Sequence, residues 1–328
     1  MPNITRRTAL GALVAATWID RNAMAQSPSD WPRRPIRVVV PYPAGGTPDV
    51  ATRVLTEQLA GILKTSVIVE AKPGASGLIG MRAVTASPAD GYTVGYVSAG
   101  QVTLSAMNPK FDLLKELKPV VRVTGSPFGV LVGAASPYKT LPELVAAVRA
   151  QPGKLSFGSA GLGSPAHMAQ AYLEDALKDF QALHVPFKGA VESINAILAG
   201  QIDFTIGVVG AAVTQIKAGK LRLLAVTPAK RLALFPDVPT VAEALGTPYE
   251  FQSWGGYMVP AATPDDVVDR LAAGLVQAAN TEAFRKYLQG VGAELDLVAS
   301  PAEFRKRLLP ALDAERRIVQ RLGLKEGS

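Results

Sequence analysis

The sequence predicts an α/β fold arranged in two lobes. The chain has 328 residues, about twice the size of one ordinary domain. Apolar runs of strand length alternate with segments whose apolar residues recur at helical spacing, which is typical of sheets covered by helices. Hydrophobic residues make up 48% of the chain and charged residues 19%, so there is enough apolar material to bury two cores.

The first 25 residues differ from the rest and predict an export signal. An arginine pair at 6–7 precedes a short apolar run at 8–18, and residues 23–25 (Ala-Met-Ala) match the small residues before a cleavage site. The apolar run is too short for a membrane-spanning helix, which needs about 20 residues. We therefore expect a mature chain that begins at Gln26, exported by either the Sec or the twin-arginine route.

Composition excludes several kinds of site. The chain has no cysteine, which excludes disulfides, thiol catalysis and thiolate metal ligands. Its two histidines, His167 and His184, are too few for a histidine-rich metal site, and we expect no metal and no cofactor. The net charge is +7, but lysine and arginine are scattered singly, so nucleic-acid binding is not predicted. The charge slightly favours anionic small ligands.

One lobe is predicted from residues 26–125 together with 227–328. The loop after its first strand is followed by a helix with apolar residues from Val50 to Leu63, and turn residues mark each later boundary. Its predicted strands are 36–40, 67–69, 92–97 and 251–259, and its further helices are 78–86, 264–280 and 301–322.

The other lobe is predicted from residues 126–226. The chain enters it through two apolar runs, 120–123 and 128–132, separated by Gly-Ser-Pro at 125–127 without a helix. Glycines 153, 200 and 219 stand where helices are expected to end. The predicted elements are helix 141–150, strand 155–158, helix 166–177, strand 184–185, helix 191–199, strand 202–208, helix 210–218 and strand 221–226.

The segment 41–49 is the loop best marked for ligand binding. Its paired glycines let the backbone approach a ligand, Thr47 is placed to cap the following helix, and Pro48 suits the first helical position. Free amides at a helix start attract anions, so a carboxylate is expected there. Asp49 is able to occupy those amides itself, and the alternative interpretation is a tight turn before a well-capped helix.

Eight motifs resemble, in order, those of the tripartite tricarboxylate transporter receptor family, the Bug extracytoplasmic solute receptors. The resemblance runs from about residue 32 to the last helix. It implies a periplasmic, non-enzymatic binding protein of type II-like fold, with a mixed sheet flanked by helices in each lobe and hinge crossings between the lobes. The motifs occupy residues 41–49, 70–80, 90–93, 152–155, 184–189, 217–222, 225–231 and 236–243.

The resemblance also implies a ligand and its contacts. Such a receptor closes around a small carboxylate and passes it to the permease subunits in the membrane, and we expect it to be a monomer. Its loops follow strands, the edge of an α/β sheet where ligands bind. The implied ligand-binding residues are Tyr42, Ala44, Gly45, Gly46, Thr47, Asp49, Ser98, Gly100, Gln101, Thr103, Ser159, Ala160, Gly161, Ser164, His167, Phe187, Lys188, Gly207, Val208 and Val209.

One departure from the family pattern bears on the ligand. Where the family commonly has Phe-Asp-Asn after the third strand of the second lobe, this chain has Ile-Gly-Val-Val-Gly-Ala at 206–211, so a carboxylate is missing from the pocket. Burying an unpaired polar group there would cost about 1 to 3 kcal/mol. The sequence therefore favours an aromatic or aliphatic mono- or dicarboxylate over an amino acid or a highly hydroxylated acid.

Several alternatives stay open. The receptor could deliver its ligand to a sensor kinase instead of a permease. A secreted α/β enzyme is a remote alternative, because the chain has no dinucleotide loop, nucleophile elbow or phosphate-binding lysine loop. His184 is interpreted as a packed strand residue, whereas His167 is interpreted as either a cleft or a core residue. Lys188 either attracts a carboxylate or is a solvated loop residue.

Overall fold

Ten strands form a mixed sheet in the part of the chain that the computed structural model describes, residues 31–321, 323 and 324. The strands are β1 (Ile36–Val40), β2 (Val67–Ala71), β3 (Thr93–Ser98), β4 (Leu117–Gly133), β5 (Ser156–Ser159), β6 (Leu183–Pro186), β7 (Phe204–Val208), β8 (Leu221–Val226), β9 (Gln252–Pro260) and β10 (Glu294–Val298). The predicted signal segment, residues 1–25, lies outside the described residues.

Helices follow most of the strands and flank the sheet, which confirms the predicted α/β class. They are α1 (Thr47–Leu63), α2 (Leu78–Thr85), α3 (Ala99–Met107), α4 (Leu113–Glu116), α5 (Leu141–Ala150), α6 (Pro165–Leu177), α7 (Ala190–Leu198), α8 (Val209–Lys217), α9 (Val241–Leu245), α10 (Asp265–Ala279), α11 (Glu282–Gly290) and α12 (Pro301–Arg321).

The long strand β4 belongs to both ends of the sheet. Its residues 117–127 pair antiparallel with β9, and its residues 128–133 pair antiparallel with β7 and β8. Strands β1, β2 and β3 extend the sheet beyond β9, and β5 and β6 extend it beyond β7. We call the β1-β2-β3-β9-β10 side the first half and the β5-β6-β7-β8 side the second half. The exact lobe boundaries of the sequence analysis stay a prediction.

The sequence indicated two apolar runs with no helix between them at a crossover, and the structure joins the two runs in this single strand, a continuity that was not predicted. Residues 125–127 all pair with β9, and Pro127 is the last of them before β4 exchanges β9 for β7. A strand tolerates the missing N–H of proline best at such an irregular or terminal position of the ladder. The chain therefore passes from one half to the other without leaving the sheet.

Both faces of the second half are covered by helices. One face buries Phe157 and Phe204 against α5 and α6, and the other packs Leu131 against apolar residues of α7 and α8. Fully burying a large apolar side chain stabilises the fold by about 1.5 to 3 kcal/mol. These contacts hold the starts of α6, α7 and α8 in fixed positions at one edge of the sheet.

Two of the three predicted helix-ending glycines are confirmed. Gly200 and Gly219 have φ angles of 69° and 67°, and their amides bond to Ile197 O and Ile216 O in the last helical turns. The prediction for Gly153 was wrong, because Gln151 is the C-cap of α5 and Gly153, with a φ of 71°, lies in the turn beyond it and bonds to Gln181 O. Within the described part of the chain, none of the helices is both long enough and apolar enough to cross a membrane.

Candidate functional site

A cavity of about 430 Å³ lies between the two halves. Its volume suits a small organic molecule. It is bounded by loops that follow β1 and β3 in the first half and β5, β6 and β7 in the second. Ten of the predicted ligand residues line it: Tyr42, Ala44, Gly45, Gly46, Thr47, Ser98, Ser159, Ala160, Gly207 and Val208.

Glycines allow the two halves to touch beside this cavity. A Cβ atom added at Gly189 would lie 3.2 Å from Cγ of Pro43, and one added at Gly100 would lie 3.1 Å from Cδ of Pro165. In addition, Ser76 donates a hydrogen bond of 3.0 Å to a backbone oxygen of the second half. The structure is therefore a closed arrangement, in which the loops of one half rest against those of the other.

The first wall of the cavity is the loop 42–46 with the start of α1. The sequence predicted Thr47 as the helix cap, and this was wrong: Gly46 is the cap residue, Thr47 and Pro48 are the first two helical residues, and no side chain bonds at the cap. The amide of Gly46 donates to Pro43 O at 3.2 Å. This bond turns the loop tightly and places the helix start one residue earlier in the chain than predicted.

Asp49 accepts a hydrogen bond from another backbone amide of this wall. Its carboxylate accepts hydrogen bonds of 2.9 Å from the amide of Gly45 and from the guanidinium of Arg53. Burial raises the pKa of the Asp49 carboxyl, but these hydrogen bonds and the charge of Arg53 outweigh burial and hold the pKa below 3.8. We expected the ligand to contact the amides of residues 44–47. Two of those four, Gly45 and Gly46, already have partners within the loop.

Hydroxyl groups lie beside this wall at the start of α3. Ser98 caps α3 in a reciprocal arrangement with Gln101, and its hydroxyl shares a hydrogen bond of 2.7 Å with the Tyr42 hydroxyl. Burial raises the pKa of Tyr42, so this phenol is neutral and serves as a hydrogen-bonding group. Gly100 leaves room for the same phenol, since a Cβ there would lie 3.0 Å from it.

The second wall of the cavity consists of residues 189–194 at the start of α7, together with Gly207 and Val208. Gly189 is the cap residue of α7 and Val208 that of α8, and neither helix has a side chain bonded at its cap. Both helix starts therefore present backbone amides that no capping side chain satisfies. Ser193 also lines this wall.

The two histidines lie together behind the second wall. Their ring centroids are 4.5 Å apart, and Nε2 of His184 is 2.6 Å from the hydroxyl of Ser159, which lines the cavity. Nδ1 of His167 accepts a hydrogen bond from the amide of Gly163. Burial, with a smaller contribution from His184, lowers the pKa of His167 to about 4. At neutral pH His167 is uncharged, and its geometry suits it to holding the loop after β5.

The other predicted residues lie near the cavity without lining it. Asp49, Gln101 and Ser164 cap or brace helix starts, and Thr103 bonds to the half-buried carboxylate of Glu315. Phe187 packs on the second-half core, and Lys188 is exposed. The predicted residues outside the cavity lining are Asp49, Gly100, Gln101, Thr103, Gly161, Ser164, His167, Phe187, Lys188 and Val209.

Sequence reasoning missed several lining residues. Ser126 and Phe128 stand where β4 passes between the halves, and a Gly-Ser-Pro interruption marked that point in the sequence. The first turn of α7 follows a glycine cap residue, which has no polar side chain to bond the helix amides. In the sequence, such a helix start is only a weak signal of a binding site. Tyr287 and Ala293 arrive from the C-terminal part of the chain, and nothing in their local sequence indicates a site.

Charged groups are scarce around the cavity. Among the described residues that line it, Glu192 is charged and none is lysine or arginine. The described part of the chain also contains no cluster of three or more His, Cys, Asp or Glu residues that could hold a metal ion. Apart from the Glu192 carboxylate, the lining consists of neutral groups: hydroxyls, backbone amides and apolar surface.

The sequence matches one protein-family model and several known proteins. The family model described as "Tripartite tricarboxylate transporter family receptor" matches residues 51–324. A "UPF0065 protein in tcbD-tcbE intergenic region" of Pseudomonas sp. is 35% identical over 85% of this chain and 83% of its own length. Protein BugT of Bordetella pertussis is 31% identical over 98% of this chain and 99% of its own length.

Solved structures agree with this assignment and confirm the predicted fold class and family resemblance. The periplasmic binding protein BugD is 30% identical with a TM-score of 0.83, over 90% of this chain and 99% of that structure. MatC of Rhodopseudomonas palustris with bound malate is 28% identical with a TM-score of 0.82, over 88% and 100%. An R. palustris protein with adipate is 27% identical with a TM-score of 0.84, over 90% and 99%. The chain therefore belongs to the tripartite tricarboxylate transporter receptor family, whose members are periplasmic solute-binding receptors.

Proposed function

We propose that this chain captures a small organic carboxylate in the cavity between its two halves and delivers it to a tripartite tricarboxylate permease. The observation that carries the proposal is the convergence of three helix starts, α1, α7 and α8, on one cavity. Each begins at a cap residue, Gly46, Gly189 or Val208, that forms no side-chain hydrogen bond. Helix starts attract anions through their amides and the helix dipole.

The lining supports a ligand with an apolar body. Gly207 and Val208 contribute apolar surface to the second wall, opposite the hydroxyls of Tyr42 and Ser98. Similar proteins hold malate and adipate, both aliphatic dicarboxylates. The proposed ligand is therefore an aliphatic or aromatic mono- or dicarboxylate. The ligand is bound and released unchanged, so the proposal assigns no catalytic residue.

The proposed working cycle uses the two lobes predicted from the sequence, residues 26–125 with 227–328 and residues 126–226. They separate to admit the ligand and close as Gly189 meets Pro43. We further propose export through the arginine-containing segment 6–18, followed by cleavage before Gln26. The periplasm is where the family's receptors meet their solutes.

A ligand panel tests the proposed function. The chain from Gln26 onward is mixed with C3 to C8 aliphatic and benzoic mono- and dicarboxylates, and its thermal unfolding is followed. A ligand at 100 times its Kd adds about 2.7 kcal/mol to the free energy of unfolding, which raises the Tm by several degrees. The matched control is the uncharged amide of each acid, which is expected to leave the Tm unchanged. A panel in which no acid raises the Tm contradicts the proposal.

A further inference from the structure

Four hydroxyls on adjacent strands line the cavity without a hydrogen-bond partner. They belong to Tyr96 of β3, Thr124 and Ser126 of β4, and Ser253 of β9. In the described part of the chain none of these hydroxyls forms a hydrogen bond, and none is among the unpartnered atoms that the protein covers completely. Buried polar groups are nearly always paired, because an unpaired one costs free energy. These four hydroxyls, which we call the hydroxyl floor, are therefore open to a partner in the cavity.

The register of the sheet brings the hydroxyl floor together. Thr124 of β4 is the partner of Gly255 on β9, and Ser126 is the partner of Ser253. Tyr96 lies on β3 two residues before the partner of Gly255. Alternate residues of a strand point to the same face of a sheet, and register partners lie side by side. The floor is therefore one continuous patch on a single face of three paired strands.

Gly255 makes room for two of these hydroxyls. A Cβ atom added there would lie 2.4 Å from the phenol oxygen of Tyr96 and 2.6 Å from Oγ1 of Thr124. Both oxygens therefore occupy the space above a bare Cα. They lie no more than about 5 Å apart, and because hydrogen bonds between oxygens are about 2.7 Å long, one ligand oxygen is able to bond to both.

Tyr96 is the middle ring of three tyrosines and differs from the other two. Its ring lies edge-to-face against Tyr42 and Tyr257, with centroid distances of 6.1 and 5.8 Å. The Tyr42 hydroxyl bonds to Ser98, and the Tyr257 hydroxyl donates to Thr52 at 3.1 Å. Burial, with smaller contributions from the neighbouring phenols, raises the pKa of Tyr96 well above its ordinary value. The Tyr96 phenol is therefore neutral and is able both to donate and to accept a hydrogen bond.

The chemistry around the hydroxyl floor favours a neutral partner on an aromatic ring. The aromatic residues of the cavity lining are Tyr42, Tyr96, Phe128 and Tyr287, and aromatic rings attract one another edge-to-face or offset-stacked. The floor consists of strand side chains, without the amides of a helix start, and the described lining has no lysine or arginine. A carboxylate at the floor would lack a compensating charge, whereas a neutral hydroxyl needs none.

We propose that the hydroxyl floor binds the ring hydroxyl of an aromatic monocarboxylate whose carboxylate lies at the helix starts. This inference rests on the proposed function and assigns the class of its ligand. The ring hydroxyl donates to one oxygen of the floor and accepts from another, and the ring packs against Tyr42 and Tyr96. Tyr96 is then a specificity-determining residue that separates hydroxybenzoates from benzoates without the hydroxyl.

Calorimetry on wild type and two variants of the floor tests this assignment. The probes are 3- and 4-hydroxybenzoate, benzoate, and the methylbenzoates, in which a methyl group replaces the hydroxyl. Wild type is expected to bind its best hydroxybenzoate at least tenfold more tightly than benzoate or the matching methylbenzoate, because those acids leave the floor unpaired. Y96F and T124V each remove one hydroxyl of the floor. Each is expected to reduce this preference about tenfold and to change benzoate binding less than twofold.

Y257F is the matched control, since its hydroxyl belongs to the same row of rings but lies outside the cavity lining. It is expected to keep the wild-type preference and to lower the Tm, because the bond to Thr52 is lost. Ligand-free Y96F loses no protein partner, so its Tm is expected to match that of wild type.

Three results would overturn the inference while the carboxylate receptor stands. The first is a preference for hydroxybenzoate that persists unchanged in Y96F. The second is a Tm of Y96F lowered as far as that of Y257F, because the Tyr96 hydroxyl would then have a partner within the protein. The third is equal binding of all the benzoates, or binding of aliphatic acids alone. A panel in which no carboxylate binds at all would overturn the proposed function as well.

Discussion

The helix starts of the two cavity walls, α1 and α7, are built alike. Each begins at a glycine cap, Gly46 or Gly189, that forms no side-chain hydrogen bond. Each has an acidic residue as its third helical residue, Asp49 or Glu192, whose carboxylate accepts the backbone amide four residues earlier. By this pattern alone, the two helix starts would be expected to bind an anion equally well.

Their surroundings make them different. Asp49 is 2% exposed and is held by two hydrogen bonds from Arg53, one turn later in the same helix. Glu192 is exposed, and the residue after it is the unpartnered Ser193. The acidic residue of the first wall is therefore buried and paired, whereas that of the second wall is exposed. The difference shows that two helix starts with the same cap pattern differ in the burial and pairing of their acidic residue.

The largest expected difference between the two walls is in how the free energy of unfolding depends on pH. The pKa of His167, behind the second wall, is lowered to about 4 from an ordinary value of 6.5. Because the unfolded chain binds this proton more readily, the free energy of unfolding falls as the pH drops from about 6.5 to 4, by roughly 3 kcal/mol in all. Asp49 has its pKa below 3.8, so its contribution is lost only at lower pH.

Urea denaturation at a series of pH values checks this separation. H167Q is expected to flatten part of the decline between pH 6.5 and 4, because one of the two histidine rings whose pKa is lowered by burial is gone. D49N is the control and is expected to keep most of that decline, since the lowered pKa of Asp49 places its titration at more acidic pH. An H167Q variant that loses stability as steeply as wild type would show that the decline comes from other groups.

The two acidic residues are expected to differ in their importance for stability. D49N removes a buried charge that accepts from Gly45 and Arg53, and hydrogen bonds to a charged group contribute about 1.5 to 3 kcal/mol. We expect D49N to lower the free energy of unfolding at pH 7 by about 2 kcal/mol. The matched variant E192Q removes an exposed charge and is expected to cost less than about 1 kcal/mol. Equal losses in urea denaturation would mean that the two helix starts are equivalent after all.

A carboxylate added to the second wall is expected to weaken ligand binding. A Cβ at Gly207 would lie 3.4 Å from its nearest neighbour, Cγ2 of Thr205, which is an ordinary contact. G207D therefore fits the fold but places a negative charge beside the anionic ligand, where the described lining has no lysine or arginine to neutralise it. We expect at least a tenfold rise in Kd, about 1.4 kcal/mol, by calorimetry with the best acid of the panel. G207A is the control, and an unchanged Kd in G207D would remove the apolar-wall argument.

Much of the fold was predictable because its signals are local. Strand and helix periods, and glycines such as Gly200 that end helices, depend on neighbours along the chain. The continuity of β4 was missed because its cause, an exchange of β9 for β7, lies in strands distant in sequence. The cap at Gly46 was missed because Thr47 has the better capping side chain, and the turn bond to Pro43 decided the position instead.

The candidate site was predictable where it consists of loops that follow strands. The segment 41–49 and Gly207 were identified in this way, since strand ends of a parallel sheet meet at one edge. Tyr287 and Ala293 have no such relation to a strand and were missed. The burial of the Ser193 hydroxyl without a hydrogen-bond partner results from packing in three dimensions, and a sequence does not show it.

The absence of lysine and arginine from the described cavity lining has a consequence for how a bound anion leaves. In the proposed function, the anion's contacts are hydroxyls and helix amides contributed by both halves. Separating the halves therefore takes away part of the anion's coordination at once, and no ion pair remains to retain it on either half. For the proposed receptor, unloading at the permease needs only a mechanical opening, and the emptied protein carries the same net charge as before it was loaded.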